Sequence, residues 1–244
     1  MKKVLVIASM LLISSASIFA IDPKSEKSEL LTSFVESTYN LLKYEGKKPD
    51  FELYKRGIVG YLNLKKQNKL SNSKYLTLID FRLSSNKKRM WVIDIKQNKV
   101  VYHSLVAHGR NTGNEFAKVF SNTPNSNSSS LGFYLTAETY YGKHGLSLRL
   151  DGMEPGFNNN ARKRAVVMHS ADYVDKSYTE AYGRIGRSFG CPSIPIDGHK
   201  ELIGKLANNS CLFIYYPDKE YLQKSVLANE ANAYEMLESS NYLL

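Results

Sequence analysis

The chain has 244 residues, 43% of them hydrophobic, which is enough for a real core in one large domain or one domain with an extension. Its formal net charge is +10, and lysine is spread along the sequence, so the surplus serves solubility as readily as attraction to anionic polymers. Two cysteines are too few for a disulfide-stapled scaffold.

Lys2 and Lys3 form a short positive head, and Val4 to Ala20 is apolar apart from four serines. Phe19-Ala20 ends that run with a small residue, and polar Asp22-Pro23-Lys24 comes next. This is the pattern of a secretory signal at 1–20, cleaved on export to the periplasm or cell envelope. A retained anchor is the alternative, because the run approaches the roughly 20 residues that span a bilayer. After cleavage no further span is expected. For an exported chain the positive charge favours anionic wall polymers over nucleic acid.

From Ser28 to about Tyr44 the apolar residues Leu31, Phe34, Val35, Leu41 and Leu42 recur at helical spacing, with Ser28 as a plausible N-cap. A second helix is expected over about Phe51 to Lys66. Together they make 21–72 a small helical segment packed on the remainder of the chain. The character changes near Tyr75. Tyr75 to Phe81, Arg89 to Ile95 and Lys99 to Val106 are rich in β-branched and aromatic residues, and Lys96-Gln97-Asn98 suits a hairpin loop. Further strands are expected at Gly132 to Ala137, Leu146 to Leu150, Arg164 to Ser170 and Ser210 to Tyr216. The fold class is therefore α+β, mainly β, with 73–217 forming a sandwich or barrel. Two long loops interrupt it, His108 to Ser130 and Ala171 to Gly190, and loops of that length in a compact domain are usually functional or disordered. The tail, 218–244, has helical propensity from Leu227 to Leu237.

The two cysteines sit in different settings. Cys211 opens an apolar run, Cys211-Leu212-Phe213-Ile214-Tyr215-Tyr216, that reads as a buried strand. Cys191 lies in Ser188-Phe189-Gly190-Cys191-Pro192, a displayed turn. A bridge between them is the alternative to a free thiol at 191. A thiol attacks only as thiolate and needs a base, a positive neighbour or a helix N-terminus. His169 closes Ala165-Val166-Val167-Met168, so it stands at a strand end, 22 positions before Cys191. The amides around Gly190 and Cys191 could receive an oxyanion. On spacing alone, a histidine at a strand end is more often a structural hydrogen-bonder than a base. His103 alternates with Val101 and Leu105 and points into a core or sheet face; His108 and His144 each precede glycine and could line the cleft, His144 as a substrate contact; His199 looks like a helix start. No HExxH-like ligand pair appears, so no metal is expected, and Gly183, Gly186 and Gly190 do not form a phosphate loop because no Lys-Ser/Thr pair comes after them.

Arg187-Ser188-Phe189-Gly190-Cys191-Pro192, preceded by Val167-Met168-His169-Ser170, resembles the YkuD-type L,D-transpeptidases, and within them the murein L,D-transpeptidase catalytic-domain branch. His108-Gly109, Phe120-Ser121-Asn122, Ser129-Ser130-Leu131-Gly132 and His144-Gly145-Leu146-Ser147-Leu148-Arg149-Leu150 extend the resemblance from about Leu76 to Pro195. It implies a YkuD-like fold without cofactor, Cys191 as nucleophile, His169 as proton acceptor and the Ser170 carbonyl as the group that orients the ring. Ser188 and the amides of Gly190 and Cys191 would shape the oxyanion pocket. Many such enzymes carry arginine two residues after the cysteine, where this chain has Ser193, so carboxylate anchoring falls to Arg187, Arg184 or Arg149, any of which could instead be a surface or packing arginine.

The activity implied is cross-linking of peptidoglycan stem peptides through a cysteinyl thioester, with carbapenem β-lactams as covalent inhibitors. Hydrolysis of the same thioester (an L,D-carboxypeptidase or wall-peptide hydrolase), attachment of a different amine, and a non-catalytic wall-binding domain remain the alternatives.

Overall fold

The computed structural model describes residues 23–231 together with 233 and 234, so the expected signal at 1–20 and the end of the tail lie outside the described residues. Helix α1 covers Pro23–Asn40 and α2 Phe51–Lys66. Strands β1 (Tyr75–Asp80), β2 (Met90–Asp94) and β3 (Lys99–Ser104) form a meander. A long hairpin is next, β4 (Gly132–Gly142) and β5 (Gly145–Gly152), then β6 (Val167–Ser170), α3 (Lys176–Tyr182), β7 (Ser193–Ile194), α4 (His199–Leu206), β8 (Cys211–Tyr215) and α5 (Lys219–Lys224). The strands join in one sheet ordered β3-β2-β1-β8-β4-β5-β6-β7. Its edges nearly meet: the Ala107 N–H, just past β3, donates to the Ser193 carbonyl in β7 at 2.9 Å. The result is a nearly closed, barrel-like sheet carrying five described helices, the α+β, mainly β, YkuD-like class.

The middle of the sheet is apolar because its strands are. Every residue of β1, β2 and β8 is buried, and β8 runs parallel to β1 and antiparallel to β4. Phe133 and Phe213 stack across the β4–β8 pair with centroids 4.1 Å apart. Helix α2 lies close over this region. It is started by Asp50, whose carboxylate accepts from the Glu52 and Leu53 amides and so satisfies two otherwise unpaired donors. A Cβ at Gly57 would stand 2.3 Å from Leu78 and one at Gly60 2.0 Å from Phe133, so these two positions let the helix backbone approach the sheet.

Several boundaries differ from expectation. Helix α1 begins five residues before Ser28, so Ser28 is internal rather than a cap, and Leu41 falls past the helix end and is exposed. Strand β6 starts at Val167 rather than Arg164, since 161–165 turns back on itself through bonds such as Arg164 N–H to Asn160 O. Strand β7 is unanticipated: two residues give no readable periodicity. The loop at 171–190 contains α3, while 108–130 carries no helix or regular strand and is held by cross-links such as Asn111 N–H to Asn127 O and Ser121 N–H to Ser129 O. Among the described residues, no helix is long and apolar enough to cross a membrane.

Candidate active site

Two short strands at one edge of the sheet assemble the site. Strands β6 and β7 pair in parallel with His169 opposite Ser193. Cys191 precedes Ser193 by two residues and Val167 precedes His169 by two, so the sulfur comes to lie beside Val167, one side-chain repeat from the imidazole. Both cysteines are free thiols, so the bridge considered between them is absent; Cys211 is fully buried in β8 and Cys191 half-buried.

His169 is buried and its ring is fixed on both sides. Nδ1 lies 2.9 Å from the Ser170 carbonyl, which can only accept, so Nδ1 carries the proton and Nε2 of the neutral ring is an acceptor. Ser193 Oγ, 3.0 Å away, donates to Nε2, and the Tyr173 hydroxyl donates in turn to Ser193 Oγ at 3.0 Å. His144, at the turn between β4 and β5, stacks on His169 with ring centroids 4.3 Å apart and planes 19° from parallel. Burial lowers the His169 pKa, the Ser170 bond opposes this, and the nearby His144 and Lys143 lower it further.

The thiol faces elsewhere. Cys191 Sγ accepts the Val167 N–H at 3.4 Å and lies 3.8 Å from the Ala165 carbonyl, to which S–H donates. No hydrogen bond joins it to His169. Burial raises the thiol pKa, while the Val167 N–H, Arg164 and Lys143 oppose the rise. The resting pair is therefore a neutral thiol beside a neutral imidazole. Ala165 presents its carbonyl from a left-handed backbone with φ of 52°, a costly conformation for a residue with a side chain.

The nucleophile turn is built from its neighbours. Ser188 Oγ accepts the Gly190 N–H at 3.0 Å and donates to the Cys191 carbonyl at 2.7 Å. The Gly190 amide is thus already engaged, whereas the Cys191 N–H has no partner among the described residues. A Cβ at Gly190, whose φ is 123°, would meet the Ser128 carbonyl at 2.7 Å, and its Cα abuts Gly109. Arg187 donates to the carbonyls of Arg110 and Gly113 and to Asn114 Oδ1, strapping the 108–130 loop. Arg149 pairs with Glu138 at 3.1 Å and lies over the Tyr140 ring. Arg184 donates to the Ile185 carbonyl. Phe189 is exposed directly before Gly190-Cys191, with the Arg110 guanidinium 4.8 Å over its ring.

The other histidines are structural. His108 is fully buried; Arg89 donates to its Nδ1 at 2.8 Å, and burial together with that cation pushes its pKa down to about 3. His103 stacks on Trp91 and shares a hydrogen bond with the Tyr44 hydroxyl, and His199 begins α4. Among the described residues no cluster of three His, Cys, Asp or Glu could hold a metal.

Sequence reasoning missed Ser193, Arg164 and the Val167 amide. The spacing of Ser193 from Cys191 could have flagged it, being two residues and so the same strand face. Arg164 had no comparable signal, because its sequence setting matches that of Arg162, which binds Glu138 and Asp151.

No curated protein matches the chain. A family model for the L,D-transpeptidase catalytic domain, YkuD_2, matches residues 45–215, more than two thirds of the sequence. That span contains α2, every strand of the sheet, Cys191 and His169, and on that evidence the chain belongs to the L,D-transpeptidase catalytic-domain family.

Proposed function

We propose that this protein is an exported peptidoglycan L,D-transpeptidase that works through a thioester on Cys191. The observation that carries the reading is the pairing of β6 with β7, which brings the only non-core thiol next to a ring-fixed imidazole inside a matched L,D-transpeptidase domain. A nucleophile, a base and a group that orients the base are what cysteine acyl transfer needs.

In the first step Cys191 gives its proton to His169 Nε2, which requires the thiol to turn from Ala165 and Ser193 to release the nitrogen. The sulfur attacks the carbonyl at the L-centre of the third residue of a donor stem tetrapeptide. The Cys191 N–H, unpartnered at the turn, is the donor best placed to receive the developing oxyanion. The C–N bond to the terminal D-alanine then breaks, and His169 returns the proton to the leaving amine. In the second step an amine of another stem peptide, with diaminopimelate the usual case for this family, attacks the thioester. The C–N bond forms, the C–S bond breaks, the amine's proton passes by way of His169 to the departing sulfur, and a 3→3 link results. Carbapenems would acylate the same sulfur. The signal pattern at 1–20 supports action outside the cytoplasmic membrane, where this substrate lies.

Incubating the protein with disaccharide-tetrapeptide and recording intact mass tests this directly. The acyl-enzyme adduct and the dimeric product are expected, and Cys191→Ala should abolish both while leaving the circular dichroism spectrum unchanged. Full cross-linking by that variant defeats the assignment; trimmed tripeptides without dimers would identify a carboxypeptidase.

A further inference from the structure

Arg164 lies immediately before Ala165, whose carbonyl faces the sulfur of Cys191. Its half-buried guanidinium donates to the Ser121 and Ser128 carbonyls at 2.7 and 2.6 Å and to Ser130 and Ser126 Oγ, both at 3.2 Å. All four partners are neutral. Nε is buried and has no partner. A Cβ at Gly190 would stand 3.4 Å from Nη2, so the cation rests against the residue that precedes the nucleophile.

A cation withdrawn from water normally has an anion beside it, because desolvation of an unpaired charge is expensive. The nearby Arg162, which is exposed, still has two anions beside it, Glu138 and Asp151. Arg164 has none: it makes no ion pair with any described carboxylate, and burial lowers its pKa. Its titratable neighbours are Tyr134 and Cys191. Tyr134 is a fully buried phenol driven far up by desolvation, so it stays neutral. That leaves the thiol as the group able to supply the missing negative charge.

We propose that Arg164 is the counter-charge of the Cys191 thiolate, a positioning residue that stabilises the nucleophile in its reactive state while its fork strings together the serine-rich segment 121–130. The proposal rests on Cys191 being the nucleophile. It also explains how a thiol without a hydrogen bond to its base can ionise: the guanidinium favours the anion before and during proton transfer. The other titratable groups near the sulfur are Lys143 from the β4–β5 turn and the Tyr173 hydroxyl, with His169 one side-chain repeat away along β6 and His144 stacked on it. Lys143 sits on an exposed turn, where water screens it.

The test is the pH dependence of Cys191 alkylation by iodoacetamide, read by peptide mass mapping on the whole protein, in wild type, Arg164→Gln and Arg164→Lys. Cys211 is fully buried and does not compete. In Arg164→Gln the titration midpoint should rise by about one pH unit, giving about tenfold slower alkylation at pH 7 and recovery of the rate at high pH. Arg164→Lys keeps the charge but loses the fork, so its midpoint should stay near wild type while its melting temperature falls. A purely structural arginine predicts equal midpoints for both variants, whether shifted together or both superimposed on wild type, and either result overturns the proposal. If Arg164→Gln does not fold, a midpoint displaced by a full unit in Arg164→Lys overturns it alone. Alkylation needs no wall substrate, so this outcome and the fate of the acyl-transfer reading are decided separately.

Discussion

The two cysteines sit in the same sheet and teach opposite lessons. Cys211 begins β8, fully buried, with burial pushing its thiol far above the ordinary range and Leu76 and Leu135 on either side of it in the sheet. Cys191 stands at the short β6–β7 edge, half-buried, with an amide, a carbonyl and an arginine arranged around it. The centre of the sheet is long, all-buried strand that spends its residues on packing. The edge is a two-residue strand, bonded to β6 and to Ala107 and Ala171, that continues from the turn carrying the thiol. Packing is concentrated in one region and the candidate site in the other, as expected when a rigid scaffold carries a functional rim.

Mutations can break that division. Phe213→Ala removes the stacked ring from the centre and should cost about 3–5 kcal/mol of unfolding free energy, measured by urea denaturation. The folded fraction should still alkylate at Cys191 with the wild-type pH profile. A changed profile would mean the core and the rim are energetically coupled.

Acid should act on the buried histidines next. The His108 pKa is held at about 3, whereas an unfolded histidine titrates near 6.5, so the unfolded chain binds protons first. Its contribution to stability is complete above pH 6.5 and falls away as the pH drops from there toward 3, by at most about 1.4 kcal/mol per unit. His103 and His169 shift in the same direction and add to the loss. Glu154, buried and raised, has the opposite sign: its protonation favours the folded state, an effect lost as the pH rises through its folded pKa. Melting temperatures recorded from pH 7 to 4 should fall; a flat curve would contradict the neutral, buried state of His108.

The smallest effect sharpens the same contrast. Cys211→Ala leaves a small cavity worth about 1 kcal/mol and should not alter the number of thiols that react in the native protein. Loss of native labelling in this variant would show that Cys211, not Cys191, is the exposed sulfur.

Much of this scaffold was readable from pattern. The bounds of α2, the three-strand meander and the strand opened by Cys211 come from apolar period and turn chemistry, which are local properties. The strand-end histidine and the glycine-flanked cysteine stood out as candidates through the motifs around them rather than through their spacing. Harder features were those made by partners distant in sequence. Ser28 resembles a cap because its own side chain allows one, yet α1 starts earlier. Arg187 and Arg149 resemble substrate anchors, but tertiary partners in the 108–130 loop and on β4 already hold them.

The sequence by itself determined the class of fold, the two chemical groups worth watching and the family to which they belong, because each is written in short-range order. Only the tertiary structure decided that Nε2 of His169 rests on Ser193, that the Gly190 amide is already engaged, and that Arg164 lies beside the sulfur without a carboxylate of its own. Those are facts about strand register and chain crossings, and register is set by how the whole sheet closes rather than by any residue's neighbours along the chain.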